Sequence, residues 1–274
     1  MSKPQCRILS GTELTVPVLT FGGNVFGWTV DKPGAFTLLD ALVEKGLWFI
    51  DTADCYSCWV EGNHGGESET IIGSWIKSSG KRDKIILATK VGMDMGEGKT
   101  GLGSNYIRQS VEGSLRRLQT DYIDLYQAHR DDTSTPLEET LMTFDALIKE
   151  GKVRAIGASN YSASRLQEAL KISDENGLAR YQTLQPQYNL YDREEYETTL
   201  SSVVNSQNLG VINYHSLAAG FLSGKYRTPA DASKSQRGQM VTERYLNSRG
   251  LRIIDALGDI ARARQATSAQ VALS

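Results

Sequence analysis

The sequence predicts an α/β fold in which parallel strands are backed by helices, and three observations lead there. Seven short apolar runs begin about 30 to 40 residues apart, the span of one strand, loop, helix and return. Between them lie stretches whose apolar residues recur at the helical period. The chain has 274 residues, 40% of them apolar, enough to bury a sizeable core as one large domain or as two smaller ones. Alternation of this kind implies a parallel barrel or sheet with helices outside.

The elements follow in order. Arg7-Leu9 and Thr15-Val18 flank Ser10-Gly11-Thr12 and read as a hairpin ahead of the first parallel strand, placed to cover the bottom of a barrel. The expected strands are Val18–Phe21, Trp48–Asp51, Ile85–Lys90, Ile123–Ala128, Val153–Gly157, Thr183–Gln187 and Val211–Tyr214. The expected helices are Ala35–Glu44, Glu69–Lys77, Asn105–Leu118, Leu137–Lys149, Ala163–Asn176, Glu194–Gln207 and a stretch from Glu243 or Arg249 to Gln265. Ser104 and Thr135-Pro136 mark two helix starts, and Glu150-Gly151 a stop. Arg227–Arg249 shows little apolar periodicity and reads as a long loop of the kind that lies over an active site. No low-complexity tract or linker divides the chain.

Composition excludes several classes of function. With 30 basic against 32 acidic residues, the chain has no excess field to draw nucleic acid or an anionic membrane. The start lacks an apolar leader and no stretch approaches the ~18 apolar residues of a spanning helix, so the reading is a soluble cytoplasmic protein. Three cysteines, an odd count, argue against a disulfide framework. Cys55 and Cys58 form a C-x-x-C with His64 beyond. A structural zinc takes four protein ligands, however, and a thioredoxin-type pair opens a helix, whereas this one sits in a glycine-containing loop. No metal is expected.

The chemistry lies at the ends of strands. Asp51, Tyr56, Lys90 and His129 each fall at or just past the C-terminal end of an apolar run, and parallel neighbouring strands would gather them. Singly, Asp51 reads equally well as a turn cap, Tyr56 as loop packing, Lys90 as a strand-end charge and His129 as a satisfied histidine. Together they form a proton donor with tuning charges. A phenol has an ordinary pKa of about 10, which a neighbouring ammonium lowers. Lys90 would supply that charge, Asp51 would hold Lys90, and the His129 imidazole would direct a carbonyl oxygen. No obvious nucleophile is present, so such an acid needs a hydride source, which a nicotinamide cofactor supplies. A metal-dependent hydrolase using His129 with Asp51 ranks last, since only three histidines exist.

Longer motifs carry a resemblance. Asp51-Thr52-Ala53-Asp54-Cys55-Tyr56, Gly66-Glu67-Ser68-Glu69, Thr89-Lys90-Val91-Gly92, Ser114-Leu115-Arg116-Arg117-Leu118 and Asp121 through His129 stand in order. Gly151 through Asn160, Gln185-Pro186-Gln187-Tyr188-Asn189-Leu190 and Leu217 through Tyr226 continue them. In this pattern the chain resembles the aldo-keto reductases, including the branch that contains potassium-channel β-subunits.

The resemblance implies a (β/α)8 barrel, one aldo-keto reductase domain over 1–274, that binds NADPH and reduces aldehydes or ketones. It assigns Tyr56 as the acid, Lys90 and Asp51 as its tuning pair, and His129 as the orienting imidazole. Ser159, Asn160 and Gln187 would bond the nicotinamide carboxamide, with Tyr214 stacked on the ring. Gly23, Asn24 and Asp51 would add cofactor contacts. His215, Ser216 and the loop from Leu217 through Ala218 and Gly220 to Lys225 would cradle the pyrophosphate, with Arg237 a second counter-charge. Many relatives have Ser-Pro where this chain has His215-Ser216. No G-x-G-x-x-G follows an early strand, so a Rossmann site is not indicated.

Substrate-pocket candidates on the βα loops are Phe26, Trp28, Trp59, Met93, Met95 and Arg130-Asp131-Asp132. The chain stops at Thr267–Ser274, in what resembles the seventh barrel helix. The eighth βα unit and the basic segment that grips the adenosine 2′-phosphate have no counterpart, so the sequence is read as omitting a C-terminal segment, and NADH stays open beside NADPH. A nicotinamide-binding regulatory subunit with little turnover is the alternative function.

Overall fold

A computed structural model describes residues 5–96 and 98–274. Contacts cluster into two compact units, one running from the N-terminal hairpin to Leu184 and including Val203–Val211, the other comprising Gln185–Ser202 and Ile212–Ser274.

The first unit opens with the hairpin β1 (Cys6–Ile8) and β2 (Thr15–Pro17), antiparallel with Ile8 opposite Thr15. A seven-stranded sheet follows in sequential order: β3 (Phe21–Gly22), β4 (Phe49–Asp51), β5 (Ile86–Val91), β6 (Ile123–Ala128), β7 (Val153–Ser159), β8 (Thr183–Gln185) and β9 (Gly210–Val211). The registers on either side of β4, β5 and β6, and that between β8 and β9, are parallel. Five helices alternate with these strands: α1 (Lys32–Glu44), α2 (Glu67–Ser79), α3 (Ser104–Leu118), α4 (Leu137–Lys149) and α5 (Ala163–Asn176). This is the predicted βα alternation. Strands β4, β5 and β6 are buried almost throughout, as expected of parallel strands covered by helices.

Local signals explain the helix boundaries. Asp31 accepts from the Gly34 amide at 2.9 Å and Pro33 stands in the first turn of α1, a start that uses the fixed φ of proline. Ser162 caps α5 through the Arg165 amide. Ser104, expected as a cap, lies instead inside the first turn of α3, its amide donating to Glu139 Oε1 at 2.8 Å. The orphan donor of that turn is thus satisfied from the next helix. The first expected strand is shifted: Val18 and Leu19 are exposed, and parallel pairing begins only at Phe21 opposite Ile50.

Two close approaches admit only glycine. A Cβ on Gly73 would fall 2.0 Å from the Arg117 carbonyl oxygen, and one on Gly157 would fall 2.1 Å from Thr183 Oγ1 and 3.3 Å from Gln127 Cγ. The first sets how near α2 lies to α3; the second lets β7 sit between its neighbours. Gly157→Ala is expected to cost ~1–3 kcal/mol by overpacking, read as a lower urea midpoint at unchanged slope. An unchanged midpoint would show that Thr183 swings aside freely.

The second unit has its own core, in which Ala218, Phe221, Leu222 and Tyr226 pack with Val241, Tyr245, Ile254 and Leu257. Helix α7 (Gly238–Tyr245) supplies Val241 and Tyr245, and α8 (Ser248–Arg264) supplies Ile254 and Leu257. The segment read as a long loop, Arg227–Arg249, is therefore largely helical. A capping box between Thr228 and Asp231 starts a short 3-10 helix over Pro229–Lys234, and Asn247 caps α8 through the Gly250 amide. The expected helix over Glu194–Gln207 also differs. It widens into a π-helical turn at Tyr196–Leu200 before the α-helical α6 (Ser201–Ser206). Thr198, Thr199 and Ser201 donate their hydroxyls to the carbonyls of Glu194, Glu195 and Glu197, which competes with the regular ladder. Helix α9 (Ser268–Leu273) carries a capping box between Thr267 and Gln270.

Candidate active site

Strand register gathers the first three polar groups. Asp51 ends β4 opposite Ala88, and Lys90 lies two residues further along β5 on the same face. Lys90 is opposite Gln127 on β6, and His129 lies two residues beyond Gln127. One side of the sheet thus carries Asp51, Lys90, Gln127 and His129 in successive steps along three strands. Tyr56 reaches the same place from the loop after β4, where the turns Tyr56 N–H to Ala53 O and Cys58 N–H to Cys55 O fold the chain back.

Lys90 is fully buried and spends its ammonium on three acceptors: Asp51 Oδ2 at 2.6 Å, the Thr52 carbonyl at 2.7 Å and Tyr56 Oη at 2.8 Å. Gln127 Nε2 donates to the other Asp51 oxygen at 3.2 Å. The His129 ring lies edge-on to Tyr56, centroids 5.8 Å apart, and its Nδ1 is 3.6 Å from Cys55 Sγ. The His129 backbone is held at both ends, its amide donating to the Val91 carbonyl and its carbonyl accepting from Asn160 Nδ2 at 2.9 Å.

The electrostatics sharpen the roles and correct one expectation. Burial pushes the Tyr56 phenol up to about 12, outweighing the lowering by Lys90, while Asp51 adds to the rise. Lys90 was expected to bring the phenol below its ordinary value; desolvation wins instead. Burial by itself would lower Lys90, but Asp51 and Tyr56 together hold its ammonium above the ordinary lysine value. His129 is pushed well below the usual histidine range by burial and by the Lys90 and Arg130 charges. The set at neutral pH is a protonated phenol, an ammonium and a neutral imidazole.

Other predicted residues divide by what they touch. Ser159 ends β7 and Asn160 follows it in the left-handed region, with Asn160 Nδ2 also 3.0 Å from Ser159 Oγ. Gly23 is beside Asp51: a Cβ there would meet the Asp51 carbonyl oxygen at 3.3 Å and Ser68 Oγ at 3.0 Å, and Ser68 Oγ donates to the Gly23 carbonyl. Asn24 follows it in the same short 3-10 turn. Trp59 packs edge-on against both Tyr56 and Trp28, centroids 6.0 and 5.7 Å away, which makes an aromatic wall beside the phenol. Phe26 does not extend it, being fully buried against Phe21 at 5.5 Å. Met93 and Met95 are half-buried on the loop after β5.

Of the trio after His129, only Arg130 is an exposed candidate, donating to Thr100 Oγ1. Asp131 is tied to Arg165 by two hydrogen bonds, and Asp132 accepts from the Leu102 and Ser134 amides and from Thr135. Both acids are committed to holding loops.

Within the second unit, Gln187 pairs with Tyr214 in an isolated parallel bridge, and Gln187 Nε2 donates to Asp192 at 2.8 Å. Tyr214 and His215 stack edge-on at 5.2 Å; His215 is lowered by burial and by the Arg237 and Arg244 charges. Ser216 accepts from Asn213 Nδ2 at 3.0 Å. Ala218, Ala219 and Gly220 take positive φ in succession, and Lys225 Nζ would lie 3.8 Å from a Cβ on Gly220. Arg237 is the N-cap residue of α7.

Sequence reasoning missed Gln127 and Asp54. Gln127 lies two residues before His129 in the quoted motif, so strand alternation was the signal that could have found it. Asp54 is buried, and among the described residues neither carboxylate oxygen has a hydrogen-bond partner. Burial, with the nearby Glu69 charge, pushes it up to about 8. Nothing in its sequence context announces that.

Comparison with known proteins places the chain in a family. The model of the aldo/keto reductase family matches residues 18–274. The chain is 40% identical over 219 residues to the aldo-keto reductase YhdN of Bacillus subtilis, a match covering 79% of this chain but 62% of YhdN. It is 31% identical over 277 residues to a probable voltage-gated potassium channel subunit beta of Arabidopsis thaliana, covering 98% of this chain and 82% of that protein. To the L-glyceraldehyde 3-phosphate reductase of Escherichia coli O157:H7 it is 30% identical over 280 residues, covering 98% and 79%. With the parallel βα succession and these matches, the chain belongs to the aldo-keto reductase family, whose members are oxidoreductases built on the (β/α)8 barrel.

Proposed function

We propose that this chain, as one domain over 1–274, reduces a small aldehyde or ketone to the alcohol with NADPH as hydride donor. The observation that carries the reading is the Lys90 ammonium, buried and bonded to both Asp51 and Tyr56 Oη. When bound, the reduced nicotinamide supplies the hydride. Tyr56 gives its proton to the carbonyl oxygen as negative charge develops there, and Lys90 stabilises the phenolate left behind. Asp51 keeps Lys90 charged and in line. Neutral His129 donates a ring N–H that sets the carbonyl direction. Trp28 and Trp59 line the apolar side, with Met93 and Arg130 further candidates.

The residues fit such a cofactor. Ser159 and Asn160 offer a hydroxyl and an amide at a strand end, suited to a carboxamide, and Gly23 and Asn24 lie at the end of β3. In the second unit, the Lys225 ammonium beside the turn at 218–220 suits a diphosphate, because a lysine cation makes charge-assisted hydrogen bonds to phosphate oxygens. Gln187, Tyr214, His215, Ser216, Leu217 and Arg237 are the remaining candidates. Lys225→Ala is expected to weaken NADPH binding roughly tenfold while slowing turnover at saturation less than about threefold, the pattern of lost ground-state binding. An unchanged dissociation constant would remove the diphosphate assignment.

The pH dependence follows from Tyr56. An acid works in its protonated form, so the rate is full below its pKa and falls as pH rises through about 12. Reduction at saturating substrate should therefore be flat between about pH 6 and 10. A falling limb centred near neutrality would assign the proton to another group.

The decisive experiment is titration with NADPH and NADH, followed by a panel of aldehydes and ketones read at the nicotinamide absorbance. Binding with turnover supports the reductase. The relation to a potassium channel subunit beta favours one alternative, a nicotinamide-binding regulatory subunit; binding without turnover would select it. No binding of either cofactor would overturn both.

A further inference from the structure

Beside the Lys90 cluster lies a second group, which shares His129 with the proposed reduction and adds two residues that the reduction does not use. Asp54, Cys55 and His129 bring a carboxylate oxygen, a sulfur and a ring nitrogen within 4.8 Å of one another. Asp54 is only 2% exposed, neither of its oxygens has a hydrogen-bond partner among the described residues, and Cys55 is a buried free thiol at 5% exposure. An unpartnered carboxyl in that position is costly unless something answers it.

We propose that Asp54, Cys55 and His129 form a binding site for one soft divalent cation of the zinc type. The donor set is the right chemistry: sulfur, imidazole nitrogen and carboxylate oxygen are zinc's usual protein ligands. The spacing of the sulfur and the imidazole matches as well. Two ligand atoms on one tetrahedral zinc lie roughly 3.3 to 3.7 Å apart, from the usual bond lengths, and Cys55 Sγ is 3.6 Å from His129 Nδ1.

The charges balance. The cation displaces one proton from the thiol and one from the carboxyl, both released to solvent, and the resulting thiolate and carboxylate neutralise its two positive charges. His129, held neutral, binds without losing a proton. The nearby cations do not compete for these ligands, because Lys90 is bonded to Asp51 and Arg117 pairs with Glu69 at 2.7 Å. Three protein ligands leave a fourth position open, as in zinc sites that keep an exchangeable ligand. Cys58 and His64, the other members of the sequence motif, are not part of the group.

Occupancy would bear on reduction, and this part rests on the reductase reading. A metal on Nδ1 leaves Nε2 as the protonated nitrogen, so the cation would set the tautomer of the imidazole that faces the carbonyl.

The test measures binding without turnover. Cadmium is titrated into the wild-type protein and into a Cys6→Ser/Cys58→Ser variant, and the ultraviolet thiolate-to-metal charge-transfer band is followed. The expected result is a band saturating at one cadmium per chain in both. Cys55→Ser should abolish it, and Asp54→Asn, isosteric with the protonated carboxyl, should weaken cadmium binding about tenfold or more. No band, a band that survives Cys55→Ser, or an affinity untouched by Asp54→Asn overturns the proposal. NADPH binding on the same samples separates the two readings: failure of the cofactor to bind while the cadmium band forms would sink the reductase and leave the metal site standing.

Discussion

Tyr56→Phe is expected to lower turnover by roughly 10² to 10⁴-fold, the usual worth of a positioned general acid, while NADPH affinity stays within about threefold of wild type. The asymmetry follows from the geometry. Removing the hydroxyl takes one acceptor from Lys90 but leaves Asp51 Oδ2 and the Thr52 carbonyl in place. The ammonium stays paired, and the ring keeps its packing against Trp59 and His129. Only the proton donor is lost, and with it the group that answers the charge of the transition state. Comparable turnover in the variant would place the acid elsewhere.

Lys90→Met has the larger effect on the fold. Lys90 has no exposed surface and Asp51 is 6% exposed, so the variant takes the buried ammonium away from a carboxylate that keeps the Gln127 amide as a donor. Breaking a buried ion pair by removing one partner costs ~3–5 kcal/mol, because the other charge is left uncompensated. Urea denaturation should show that loss, and adding Asp51→Asn should recover a substantial part of it, since the amide carries no charge to bury. Both variants should be inactive. A single-variant loss below about 1 kcal/mol would mean that Asp51 finds solvent or a proton cheaply, and that the pair is weaker than its burial implies.

Much of this protein was legible in one dimension. The βα succession follows from periodicity alone: β6 and helices α4 and α5 lie where their apolar spacing puts them. Asp51, Tyr56, Lys90 and His129 could be named because each follows an apolar run whose strand character is unambiguous. The segments that were misread had weaker local signals. Arg227–Arg249 hides its helices behind a capping box and an i, i+4 pair, Val241 and Tyr245, too few apolar positions to show a period. The turn at Tyr196–Leu200 depends on hydroxyls bonding back to carbonyls, which no hydrophobic pattern records.

What only the tertiary structure decided is register and burial. Sequence spacing puts Lys90 one βα unit after Asp51, but the pairing of Asp51 with Ala88 and of Lys90 with Gln127 turns both side chains to the same face and admits Gln127 as a further partner. A slip of one residue would point every one of them the other way. Burial likewise reversed the direction expected for Tyr56: the Lys90 charge lowers its pKa, and desolvation raises it further. The sequence by itself determined which groups exist and on which strand each one ends. The distances among them, and the dielectric in which they act, come from long-range packing, and so the state of each proton could be read only from the folded chain.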